Sequence, residues 1–356
     1  MRPDETLKVR QRRFEADLPD ELLECLERSY ARIDHPDGYV VVELLTDSPH
    51  LTAFFTGNWA RASQSQRGTV QARIVALRGD AISYDLPASL DGSRWFSRKT
   101  NSALYLGNSS YTNLKITVRG LLAAIKNDTV MWVHGCTLSI RDNDEDYGIL
   151  LLGRSGAGKT TITSKIRQLL GDHVRVVNDD YGAVSLATQE VAFTGERRLH
   201  MKYMSVATLA SQLHPTPATH WSEDFNGDRF DATARLLIDP SEVFGPRGFK
   251  VRSNLRSIVV VGRDVARMSS DMSAADILDL VVNGEFSEYY GAPERFFNGS
   301  LFLLGETDVR THRAKYQQLF DNVGVHFVNN VESSDAAARQ VLETVVPNER
   351  LKQLIG

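Results

Sequence analysis

The chain has 356 residues, 42% apolar and 24% charged, enough for a sizeable core in one large or two moderate domains. A net charge of −4 argues against a broad nucleic-acid-binding surface, and two unrelated cysteines, Cys25 and Cys136, exclude a disulfide framework or a cysteine-built zinc site. The charged start at Met1 has no apolar core behind it, and no apolar run approaches the ~20 residues of a bilayer span. The expectation is a soluble cytoplasmic protein with neither membrane nor nucleic acid as partner.

Residues 1–35 read as a charged helix, with Leu22, Leu23, Leu26 and Tyr30 on one face and Lys8, Arg10, Arg12 and Arg13 in solvent. From residue 38 to about 110 the texture turns strand-like, in runs at 39–45, 51–55, 69–77 and 81–86 separated by Gly, Asp, Asn and Pro. Residues 1–112 are therefore expected to form a helix plus a sheet-rich N-terminal domain, with Trp95, Phe96 and Arg98 as packing residues. Residues 113–127 have helical apolar spacing (Ile116, Val118, Leu121, Leu122, Ile125), 129–140 are strand-like, and 141–147 form an acidic turn.

The next stretch carries the chemistry. A buried strand at 148–152 runs into Gly153-Arg154-Ser155-Gly156-Ala157-Gly158-Lys159-Thr160, which fits the phosphate-loop pattern G-x-x-x-x-G-K-[ST]. Glycines let successive N–H groups turn inward around phosphate oxygens, Lys159 reaches the β- and γ-phosphates, and the Thr160 hydroxyl ligates Mg²⁺. A helix follows through Thr161, with Ile162, Ile166 and Leu169 buried, and it aims its positive N-terminus at the same phosphates. The strand at 174–182 ends in paired carboxylates, Asp179 and Asp180, which suit a metal ligand and a group that accepts the proton of an incoming hydroxyl. Asp264, after the strand at 255–262, is a rival carboxylate.

Beyond residue 183 come further short strands and a basic run, Arg197, Arg198, His200 and Lys202, which could meet an acceptor or a transferring phosphate. Arg252 and Arg256 are weaker candidates for the same task. Residues 215–235 are polar and turn-rich, the best stretch for a lid. Helices are expected at 274–282, 309–320 and 334–346, with a strand at 325–329. Residues 113–356 then form one catalytic domain, and the fold class is α/β with α+β character.

His134-Gly, a hairpin, Gly-Arg-Ser-Gly-Ala-Gly-Lys-Thr-Thr and Asn-Asp-Asp together resemble the HPr kinase/phosphorylase and phosphoenolpyruvate carboxykinase superfamily over roughly residues 116–185. The resemblance implies a P-loop core of that type, ATP and Mg²⁺ as cofactors, and often a homo-oligomer. It assigns nucleotide to Gly153, Ser155, Gly156, Ala157, Gly158, Lys159, Thr160 and Thr161, metal to Thr160 and Asp180, and the reacting centre to His134, Asp179, Asp180 and Lys159, with the base and metal roles open between the two aspartates. The HPr-binding signature and the carboxykinases' substrate arginines are not evident, so the expected activity is a kinase acting on a serine-like hydroxyl of a peptide, protein or metabolite. A nucleotide-binding regulator without transfer and a carboxykinase-like lyase are the alternatives.

Overall fold

The computed structural model describes residues 12–13, 18–84, 86, 94–97, 100–107, 111–125, 127–142, 145–153, 156–197, 199–202, 220–221, 235–239, 241, 244–245, 247–262, 272–283 and 306–347. The leading helix is short: α1 spans Asp20–Cys25, and the chain is already a strand, β2 (Glu27–His35), where a helix was expected to carry Tyr30. Period-two burial decides this, because Ser29, Ala31, Ile33 and His35 point inward in alternation. A Pro36-Asp37 turn then returns the chain antiparallel as β3 (Gly38–Thr46), buried on both faces from Val40 onward.

Residues 51–55, expected as a strand, lie in α2 (Pro49–Asn58). The cause is local: Ser48 caps the helix by accepting from the Leu51 N–H (3.4 Å), and Pro49 stands at the first turn. Two short strands stand at the opposite edges of the first sheet, β1 (Arg12–Arg13) and β4 (Ala60–Arg61). β5 (Val70–Leu77), β6 (Arg94–Ser97) and β7 (Ser102–Leu106) give a seven-stranded mixed sheet in the order β1-β6-β7-β5-β3-β2-β4. Residues 82–84, read as a strand, form a 3-10 turn, with Asp80 accepting from the Ser83 N–H (2.9 Å). Phe96 is buried in the core, as expected, whereas Arg98 and the Trp95 side chain lie outside the described residues.

After α3 (Tyr111–Ala124), the expected single strand is two, β8 (Val130–Val133) and β9 (Gly135–Asp142), broken at His134. β10 (Glu145–Leu152) pairs antiparallel with β9, so the described part of the turn expected at 141–147 is strand. Then come α4 (Lys159–Leu170), β11 (Val174–Asn178), β12 (Gly182–Ser185) and β13 (Glu190–Ala192). A separate three-stranded sheet holds β14 (Leu199–Lys202), β15 (His220–Trp221) and β16 (Arg235–Ile238). β17 (Arg252–Gly262), α5 (Ala274–Asn283), α6 (Glu306–Phe320), β18 (Gly324–Asn329) and α7 (Ser334–Val345) are the remaining elements among the described residues.

The eight-stranded sheet runs β11-β9-β10-β17-β13-β12-β8, with β18 also on β17. Ile162 and Ile166 of α4 and Ala338, Val341 and Leu342 of α7 cover one face, and Ile277 and Val281 of α5 with Tyr316 and Leu319 of α6 cover the other. This is a mixed α/β architecture with helix layers on both sides of the sheet. Trp132 of β8 and Tyr181 stack (5.8 Å between centroids) within the core that α2, α3 and the first sheet share. No helix among the described residues is long and apolar enough to cross a membrane. The lid candidate at 215–235 and Asp264 lie outside the described residues, apart from β15 and the first residue of β16 in the former.

Candidate functional site

Strand directions gather the site on one sheet edge. β10, β17 and β18 run parallel, with Leu152 beside Val260 and Gly262 beside Asn329. β9 runs the other way, so its first residue, Gly135, pairs with Leu152, and β11 ends at Asn178 beside Thr137. The ends of β10, β11, β17 and β18 and the start of β9 therefore meet on the edge where ligands of α/β sheets bind. Arg252 and Arg256 begin β17 and so lie at the opposite edge: Arg252 pairs with Glu190 (2.6 Å), and Arg256 sits over the Tyr147 ring (5.3 Å). Neither belongs to this site.

Gly153 leaves β10 at φ +155°, and a side chain there would come within 2.6 Å of the Val261 carbonyl. Gly158 takes the left-handed conformation (φ +98°) at the N-cap of α4, where a Cβ would meet Asn330 Nδ2 at 2.4 Å. Asn330, just past β18, braces the loop from behind by donating to the Ala157 carbonyl (2.8 Å). Gly156 is exposed, Ala157 is buried, and Thr160 and Thr161 are partly buried in the first helical turn; Arg154 and Ser155 lie outside the described residues. Lys159 is buried and folds back to donate to the Gly153 carbonyl (2.6 Å), and burial lowers the pKa of its ammonium.

The two aspartates have different surroundings. Thr160 Oγ1 donates to Asp179 Oδ2 (3.3 Å), and the Cys136 thiol lies 3.0 Å from Asp179 Oδ1 and 2.6 Å from its backbone carbonyl. Burial raises the Asp179 carboxyl to about 6, and burial likewise keeps the Cys136 thiol protonated, as a donor. Asp180 instead takes Lys115 Nζ (3.1 Å) and Arg119 Nη2 on Oδ2, and His134 Nε2 (3.1 Å) on Oδ1. Burial alone would raise its carboxyl, but the Arg119 guanidinium and the Lys115 ammonium override it and hold Asp180 well below the usual carboxylate range. Burial, with Lys159 nearby, pushes His134 down to about 4, so its imidazole is neutral at pH 7.

The resemblance names Asp180 with Thr160 for the metal but leaves the base and metal roles open between the two aspartates; the carboxylate that meets Thr160 is Asp179. Thr160 and Asp179 present hard oxygens next to a loop built for phosphate, a donor set that fits Mg²⁺ shared with a nucleotide. Among the described residues no cluster of three or more His, Cys, Asp or Glu side chains forms a cation cage by itself. Such a fit requires the phosphates to supply the remaining ligands.

Of the expected acceptor residues, Arg197 is exposed and its backbone N–H bonds the Asn58 carbonyl (2.7 Å). Arg198 and the side chains of His200 and Lys202 lie outside the described residues. Their neighbour Glu196 does reach the cluster, through Lys115 (2.5 Å). Sequence reasoning missed Lys115, Arg119, Glu196, Cys136 and Asn330. One signal was available: Lys115 and Arg119 are four residues apart on α3, a helix with no acidic residue to pair with them.

No family model matches the chain. Over 147 residues it is 31% identical to the phosphoenolpyruvate carboxykinase (ATP) of Aeropyrum pernix, covering 38% of this chain and 30% of that protein. The chain thus spans less than a third of the length of this curated relative.

Proposed function

We propose that this chain is an ATP- and Mg²⁺-dependent enzyme that transfers the γ-phosphoryl group to a hydroxyl-bearing acceptor, in a peptide, a protein or a metabolite. The observation that carries the reading is the division of labour between adjacent aspartates: Asp179 on Thr160 of the phosphate loop, and Asp180 on His134 and two cations. The similarity to a carboxykinase named for ATP supports the donor.

Mg²⁺, when bound, would supply the positive charge that offsets the charge on the phosphates. In this assignment Thr160 and Asp179 hold it, the loop amides and Lys159 hold the phosphates, and Asp179 is ionised above about pH 6. Asp180 stays ionised throughout the neutral range and has acceptor capacity left on Oδ1, where it orients the incoming hydroxyl. Its depressed pKa makes it a weak base. A weak base is sufficient, because in a loose transition state the proton leaves late and positioning does most of the work. The acceptor oxygen–phosphorus bond forms as the bond to the bridging oxygen breaks; ADP leaves with the electron pair, and the hydroxyl proton passes by Asp180 to solvent. Neutral His134 donates to Asp180 and fixes that oxygen.

Calorimetric titration with a non-hydrolysable ATP analogue tests the assignment. Tight binding should require Mg²⁺ in the wild type, weaken at least tenfold in Lys159→Ala, and lose its Mg²⁺ requirement in Asp179→Asn. Binding that is indifferent to all three changes would sink it. The likeness to a carboxykinase favours one second reading, transfer to the enol oxygen of a decarboxylated keto acid. ATP-dependent release of CO₂ from oxaloacetate would select that reading over the kinase.

A further inference from the structure

Arg119 enters the site from α3, more than thirty residues before the phosphate loop, and no motif marks it. Its guanidinium rests 5.6 Å from the centroid of the Tyr181 ring, and the Tyr181 hydroxyl donates to the Arg119 carbonyl (3.0 Å), which pins the helix to the end of β11. One N–H group, on Nη2, meets Asp180 Oδ2. That oxygen also receives Lys115, and Oδ1 receives His134, so Asp180 keeps two partners when the guanidinium turns away. Lys115 is committed to two carboxylates, Asp180 and Glu196. Arg197 is exposed, and Arg252 and Arg256 are at the far edge of the sheet. Among the described residues, Arg119 is the arginine that the fold brings to the reacting edge with a planar fork of donors to redirect.

We propose that Arg119 is a catalytic arginine that contacts the phosphoryl group in transfer. This rests on the phosphotransfer reading above. As the bond to the bridging oxygen breaks and the bond to the acceptor oxygen forms, negative charge is spread over the equatorial oxygens and builds on the leaving ADP. A guanidinium matches two such oxygens at once, which an ammonium does not. The Tyr181 ring packs under the Arg119 guanidinium, which in this role exchanges Asp180 for phosphate oxygen.

The competing explanation is that Arg119 only anchors Asp180. The test is affinity for ADP–Mg²⁺–aluminium fluoride, a transfer-state mimic, beside affinity for the ATP analogue, in wild type, Arg119→Ala, Arg119→Lys, Asp180→Asn and the Arg119→Ala/Asp180→Asn double variant. The expected result is mimic affinity about 10²–10³-fold weaker in Arg119→Ala, with ATP-analogue affinity within a few-fold of wild type. Arg119→Lys, which keeps the charge and the fold but loses the fork, should recover less than half of that loss on a logarithmic scale. The same loss should appear when Arg119→Ala is added to Asp180→Asn, because the arginine acts on phosphate rather than through the carboxylate. Overturning results would be unchanged mimic affinity in Arg119→Ala, full recovery in Arg119→Lys, or no further loss in the Asp180→Asn background. A wild type that binds the ATP analogue but never the mimic would remove the phosphotransfer reading, and this role with it.

Discussion

Asp179 and Asp180 are adjacent in sequence and opposite in electrostatics, and substitutions should separate them. Asp179 is costly to ionise where it sits: its carboxyl titrates near 6, above its unfolded value, so its contribution to stability is present at low pH and is lost as pH rises through 6. Asp179→Asn should therefore raise the apo protein's melting temperature above pH 6, by about 1–3 kcal/mol of stability, with no gain below pH 4. A neutral or lower melting temperature at pH 8 would contradict the burial argument. Asp180 has the reverse sign. Its depressed carboxyl contributes stability above its unfolded value near 4, and that contribution is lost as pH falls below it. Asp180→Asn leaves the Arg119 charge without its carboxylate and Lys115 with Glu196 alone, and should cost about 3–5 kcal/mol, read by denaturant unfolding at pH 7.

At this scale the motif residues were legible: Lys159, Thr160, His134 and both aspartates do share one site. Which aspartate faces Thr160 was not legible, because it depends on how β11 ends against β9, where the register shifts between Val176 and Asn178. Glu196 and Asn330 were invisible for a related reason. Each reaches the site from a separate strand end, and no local pattern marks them.

At the scale of elements, the phosphate loop is held by β10 in front and Asn330 behind. Gly158→Ala adds a side chain to a left-handed residue and drives it into the Asn330 amide, so it should destabilise by more than the ~1–2 kcal/mol of the backbone term alone. Gly158→Ala/Asn330→Ala should recover the steric part of that loss in a thermal melt. A double variant as unstable as the sum of the singles would show that the contact is irrelevant. Long periodic helices and the buried strands were readable because period and apolar content agree, as in α4, α6, α7 and β5. Where local chemistry opposed texture, texture misled. The aromatic run in α2 looks like a strand until Ser48 and Pro49 are weighed as a cap, and the polar outer face of β2 hides an alternation.

For the molecule as a whole, the two sheets share a core. Leu114, Val118, Leu121 and Leu122 of α3 pack with Val42 and Ile74 of the first sheet, with Trp132 of the second and with Tyr181 just before β12. The helix that delivers Lys115 and Arg119 to the site is thus a structural part of both halves, a tertiary fact that no stretch of sequence announces. Trp132→Ala should cost about 3–5 kcal/mol and keep a single unfolding transition, monitored together by fluorescence and circular dichroism. Two separated transitions would mean that the halves fold independently.

Phosphoryl transfer is tested by following label from γ-labelled ATP with Mg²⁺ into metabolite, peptide and protein fractions of cell extract. Wild type should label one fraction, and Lys159→Ala and Asp179→Asn should label none. Tight ATP binding with no label in any fraction would contradict the claim and leave a nucleotide-binding regulator in its place.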